Sequence, residues 1–69
     1  MKIINPSEGG LMDMKQAAEY LNVKTSTLYS MCMRREIPYV KIGRLNRFRK
    51  IDLDTWITER IQEANTNNG

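Results

Sequence analysis

The stretch Asp13-Met14-Lys15-Gln16-Ala17-Ala18-Glu19-Tyr20-Leu21-Asn22-Val23-Lys24-Thr25-Ser26-Thr27-Leu28-Tyr29-Ser30-Met31-Cys32-Met33-Arg34-Arg35 decides how this chain folds. Asp13 is suited to begin a helix: its carboxylate accepts from first-turn N–H groups while Gln16, three residues on, reaches back in a capping box. Met14, Ala17, Ala18 and Leu21 then recur at helical spacing on one face, with Lys15, Glu19 and Asn22 opposite. Asn22 tolerates the left-handed conformation at a helix end, so the first helix is expected to stop there. A second helix is expected from about Thr25 to Arg35. Leu28, Met31 and Cys32 share its inner face, whereas Ser26, Tyr29, Ser30 and Met33 point away from Leu28, and Thr27 and Arg34 complete the outward side. A helix buried all round would not leave so many hydroxyls there. Two short helices, a tight turn and a second helix that presents hydroxyls and cations describe a helix-turn-helix.

Downstream, Pro38 is expected to end the second helix. Tyr39-Val40-Lys41-Ile42 and Arg47-Phe48-Arg49 alternate with period two and read as a hairpin closed by Gly43-Arg44-Leu45-Asn46. Val40, Ile42 and Phe48 are expected to face the core, leaving Lys41, Arg47 and Arg49 on the outer side as a basic ribbon. Leu53, Trp56, Ile57 and Ile61 define a closing helix from about residue 51 to 63. Trp56 reads as a core residue, and Cys32 as a small buried hydrophobe rather than a nucleophile. Residues 1–10, with Pro6, Ser7, Gly9 and Gly10, read as a flexible lead-in. Residues 64–69 read as a disordered tail, and 11–63 as the domain. The expected class is α+β: a small winged helix-turn-helix with two N-terminal helices, a two-stranded wing and a closing helix.

The chain has 69 residues, 41% of them apolar, with one Cys and no His. A chain of this size buries only about 60% of the surface it exposes when unfolded, enough for one thin core and no separate cofactor domain. Without His, and with Cys32 as the sole thiol, neither a familiar four-ligand zinc site nor a His-dependent nucleophile triad can be assembled. Asp52 and Asp54, two apart on different sides of a helix, are poorly placed as a metal pair or acid/base dyad. The expectations are therefore no enzyme, no cofactor, no metal and no small-molecule substrate. No stretch approaches the roughly 20 apolar residues of a membrane span, and the first ten residues lack the apolar run of a signal peptide. The expected location is cytoplasmic, where a lone thiol stays reduced.

Charge is unevenly distributed. Residues 1–23 carry a net −1 and residues 51–69 a net −3, whereas Lys24, Arg34, Arg35, Lys41, Arg44, Arg47, Arg49 and Lys50 against Glu36 give the middle +7. A basic segment between acidic ones implies one oriented surface for a polyanion. Duplex DNA fits it: phosphates take cations and short donors, and a major groove about 12 Å wide accepts one helix. The candidate recognition residues are Lys24, Thr25, Ser26, Thr27, Tyr29, Ser30, Met33 and Arg34. Lys24 and Thr25 stand at the helix start, where N–H groups and the helix dipole favour an anion. The candidate wing residues are Lys41, Arg44, Leu45, Asn46, Arg47 and Arg49. Arg44 and Arg47, expected to bracket the tip, suit a narrow electronegative minor groove, and Leu45 either touches sugars and wedges a base step or packs within the loop. Such a domain covers about 600 to 1,000 Å² of its own surface, which implies several copies on repeated sites.

The blocks Ala17-Ala18-Glu19-Tyr20-Leu21-Asn22-Val23, Ser26-Thr27-Leu28-Tyr29, Glu36-Ile37-Pro38, Val40-Lys41-Ile42-Gly43, Arg47-Phe48-Arg49 and Asp52-Leu53-Asp54-Thr55-Trp56 together resemble the small winged helix-turn-helix domains of the excisionase type, related to the DNA-binding domain of MerR regulators. The resemblance runs from Leu11 to about Ile61. Lys24 departs from the family's usual capping Ser, so the cap is expected to be missing or to shift to Thr25 or Ser26. Arg35 stands where the family usually has Gly, so either a left-handed helix end costs about 1 kcal/mol or the chain turns differently.

The resemblance implies a recombination directionality factor of a mobile genetic element, one that binds and bends attachment-site DNA cooperatively with further copies of itself and with a tyrosine or serine recombinase (integrase). A small MerR-like transcriptional regulator is the alternative in the same class; the lack of a long coiled-coil helix leans away from it. An adaptor whose basic face meets an acidic protein is the alternative from another class.

Overall fold

The computed structural model of the chain describes residues 10–62, and the order of elements is β1 (Leu11–Met12), α1 (Met14–Leu21), α2 (Thr25–Met33), β2 (Val40–Ile42), β3 (Leu45–Arg49) and α3 (Lys50–Glu59). The expected lead-in and tail, apart from Gly10, fall outside the described residues. The fold is α+β, three helices with a three-stranded antiparallel sheet in the order β1-β3-β2. Three strands, not two, is the first difference from expectation. Leu11 pairs with Arg49 and Met12 with Phe48, so the wing's second strand is also the centre of a small sheet.

Asp13 closes the capping box: Gln16 N–H donates to Asp13 Oδ1 at 2.8 Å, and Asp13 N–H donates to Gln16 Oε1 at 3.0 Å. Ala17 and Ala18 are buried, so α1 lies close against its neighbours. Asn22 takes φ 60°, and its N–H bonds to Glu19 O while Val23 N–H bonds to Ala18 O at 3.0 Å. That pair of bonds is a Schellman motif, and it turns the chain sharply into the second helix. Lys24 holds the N-cap position in extended conformation with no side-chain cap, so the cap is missing rather than shifted.

The second helix is shorter than expected, ending at Met33 rather than Arg35. It is stopped before Pro38 by a second Schellman motif: Arg35 takes φ 57°, its N–H bonds to Cys32 O at 3.0 Å, and Glu36 N–H bonds to Met31 O at 2.9 Å. The turn then buries Ile37, a core residue the helical periodicities do not reach.

The core consists of Met12, Ala17, Ala18, Leu28, Cys32, Ile37, Phe48 and Leu53, with Met14, Leu21, Val23, Met31, Tyr39 and Trp56 packed partly against it. Phe48, Leu28 and Leu53 are its largest fully buried side chains. Trp56 is half-buried, and its indole N–H donates to Glu36 O at 2.8 Å, tying α3 to the turn after α2. Tyr20 of α1 donates to Asp54 of α3, and Lys50 reaches the other oxygen of that carboxylate at 3.1 Å. Ile57 and Ile61 correct the expected apolar face of α3. They are 38% and 63% exposed, because the helix stops at Glu59 and meets the core only through Leu53 and Trp56.

The hairpin corrects two further expectations. It is closed by Gly43 and Arg44 alone, with Ile42 opposite Leu45, Lys41 opposite Asn46 and Val40 opposite Arg47. Gly43 has φ 60° and no other turn residue a positive φ, the pattern of a II′ turn that asks for glycine first. Leu45 and Asn46 therefore belong to β3 rather than to the tip. Opposed residues share a face, and a two-residue turn opposes even positions to odd ones. Phe48 thus shares its face with Asn46 and Lys41, while Val40 and Ile42 fall on the other face with Arg47 and Leu45. Ile42 is 48% exposed and Val40 half-buried, so neither joins Phe48 in the core as the alternation within each strand suggests.

Candidate nucleic-acid interface

The two Schellman turns hold α2 so that its inner residues Leu28 and Cys32 are buried and its outer side is free. Lys24, Thr25, Ser26, Thr27, Tyr29, Ser30, Met33 and Arg34 are all exposed, Tyr29 at 54% and Met33 at 68%. The nine residues from Thr25 to Met33 span about 13 Å at 1.5 Å rise, similar to a major-groove width.

Between α2 and the hairpin lies a cleft of about 260 Å³. Tyr29 and Met33 form its helix side, Lys41, Arg44 and Asn46 its hairpin side, Arg35 and Tyr39 its connecting end, with Cys32 at the back. Lys41 faces this cleft rather than the outer sheet surface, as the strand pairing requires, and its Nζ donates to Asn46 Oδ1 at 3.1 Å. Three cations and no carboxylate line the cleft. Burial pushes the Cys32 thiol up from its ordinary value and the Lys41 charge opposes this in part, so the sulfur stays a protonated packing atom at neutral pH.

The remaining wing residues lie elsewhere. Leu45 is 52% exposed and Arg47 half-buried on the far face of the strand pair, where Arg47 Nη1 donates to Asn46 O at 2.9 Å. Arg49 leads into α3 and grips Asp52 through two bonds of 2.7 and 2.8 Å. Arg34 likewise grips Glu36, at 2.9 and 3.2 Å. These guanidinium groups hold the Glu36 and Asp52 carboxyls below their ordinary range. The cations of the basic segment therefore sort into two sets. Arg34, Arg49 and Lys50 are paired with carboxylates, while Lys24, Arg35, Lys41, Arg44 and Arg47 make no ion pair among the described residues.

Arg35 is absent from the residues singled out by helical periodicity, since it follows the outward face of α2. The signal that could have found it is its chemistry: a long cation where the backbone favours glycine. A larger recess of about 580 Å³ lies against β1 and the start of α3, but its cations, Arg49 and Lys50, are the ones tied to Asp52 and Asp54.

A family model described as helix-turn-helix domain matches residues 11–61. The chain belongs to the helix-turn-helix domain family. No match is found among curated proteins or among solved structures. The matched segment covers every element of the fold, from β1 through α3, and a helix-turn-helix domain is a DNA-binding type rather than a catalytic one. Among the described residues of this domain, no helix is long and apolar enough to cross a membrane.

Proposed function

We propose that this helix-turn-helix domain is a sequence-specific binder of duplex DNA that uses α2 in the major groove and the β2–β3 wing in the neighbouring minor groove, and that it serves as a recombination directionality factor. The observation that carries the reading is the pairing of the exposed hydroxyl face of α2 with a cleft lined by cations and no carboxylate. Ser26, Thr27, Tyr29, Ser30 and Met33 would meet base edges, with Lys24 and Thr25 on a phosphate at the helix start. Arg44, at the turn itself, would enter the minor groove, with Lys41 and Asn46 behind it and Leu45 and Arg47 on the other side of the ribbon. Arg34 and Arg49 contribute less, because each must first release a carboxylate. The likeness of the Ala17–Val23, Ser26–Tyr29 and Asp52–Trp56 blocks to excisionases supports the finer role, with an integrase and further copies of this chain as partners on attachment-site DNA.

The test is bending. Duplex carrying the attachment site, circularly permuted and run in gels against increasing protein, should show stepwise complexes whose mobility depends on the position of the site. The array would supply the roughly 1 to 6 kcal/mol that bending by tens of degrees requires. A single unbent complex would refute the excisionase role and leave a small transcriptional regulator.

A further inference from the structure

Arg35 occupies a backbone position that works against it. At φ 57° a side chain meets the steric cost that glycine escapes, and nothing in the Schellman hydrogen bonds requires a side chain there. The residue beside it carries a carboxylate, yet Glu36 is taken up by Arg34 through both oxygens. Arg35 lines the end of the cleft between α2 and the wing, together with Lys41 and Arg44.

The two grooves of a duplex are separated by a sugar–phosphate strand. A protein that lays a helix in one groove and a ribbon in the next must straddle that strand, so the cleft between them is where phosphates pass. Resting on the DNA reading above, we propose that Arg35 is a phosphate-contacting residue of this cleft, holding the strand between α2 and the wing from a left-handed position that lowers the stability of the free domain. A guanidinium suits the task, since its forked N–H groups take two oxygens of one phosphate.

Three variants of the full chain test this, with a labelled random-sequence duplex as probe and thermal unfolding measured in parallel. Arg35→Gly should raise Tm by about 2 to 8 °C while weakening binding roughly eightfold near 0.1 M salt and flattening the log–log salt slope by about 0.9. Arg35→Ala should weaken binding equally without the gain in Tm, because the left-handed strain persists. Arg35→Lys should keep the salt slope. If the wild-type protein binds steeply and Arg35→Ala and Arg35→Gly keep its affinity and slope, the phosphate contact is refuted and the DNA reading stands. If the wild-type protein fails to bind duplex at low salt, both fall together.

Discussion

The division of cations into tied and untied sets predicts the salt dependence of DNA binding. Five side chains of the basic segment, Lys24, Arg35, Lys41, Arg44 and Arg47, make no ion pair among the described residues and are ready to replace counterions on phosphates. At about 0.9 per phosphate, five contacts give a slope of roughly −4.5 in log K against log salt, or about a 500-fold loss of affinity between about 50 and 200 mM. Replacing Lys41 and Arg44 together by Ala should reduce the slope to about −2.7 and the loss over the same range to about 40-fold. Arg49→Ala should leave the slope close to wild type, because that guanidinium is already neutralised by Asp52 at 2.7 Å. Conversely, Glu36→Gln releases Arg34 and should steepen the slope by up to about 0.9. Fluorescence anisotropy of a labelled duplex at several salt concentrations measures all four proteins. A wild-type slope near zero would refute the DNA reading and favour an acidic protein partner. A double variant with unchanged slope, or an Arg49 variant as costly as the double one, would refute the sorting of cations by their ion pairs.

Two further outcomes are expected. Ser26→Ala or Tyr29→Ala should reduce preference for the cognate site over random duplex by about 1 to 3 kcal/mol in a competition assay, with little change in salt slope; unaltered selectivity would mean that the exposed face of α2 does not read bases. Acid should destabilise the domain through Asp54, whose carboxyl is held below its ordinary value by the Tyr20 hydroxyl first and Lys50 second. A carboxyl lowered on folding contributes stability that is present above its unfolded value, about pH 4, and is lost as pH falls through the lower folded one. Asp54→Asn should therefore flatten the acid limb of stability against pH measured by urea unfolding, and an unchanged limb would show that the α1–α3 link does not bear on stability.

What was legible in the sequence is what short-range chemistry decides. Asp13 and Gln16 form their capping box because both partners lie within one turn, and Asn22 takes its left-handed angle for a reason internal to helix ends. Strand β1 was not legible, because two residues carry no period and Met12 is buried by Phe48, which lies far along the chain. Periodicity also overran α3: Ile57 and Ile61 keep helical spacing from Leu53, yet spacing cannot say whether another element arrives to cover them. The faces of the wing were open to a better reading, since a hairpin joined by an even turn cannot place Val40 and Ile42 beside Phe48.

That one constraint moves Lys41 from the outer surface into the cleft, and with it the centre of the candidate interface. The same holds for charge. A segment total of +7 treats eight cations alike, but Glu36 and Asp52 stand two and three residues from Arg34 and Arg49, close enough to claim them before any phosphate does. Exposed pairs of this kind are weak, so DNA can break them, at a cost it does not meet at Lys41, Arg44 or Arg35. The functional surface is thus set by which cations the fold leaves without a carboxylate, and three of those five, Arg35, Lys41 and Arg44, line the cleft where α2 faces the wing.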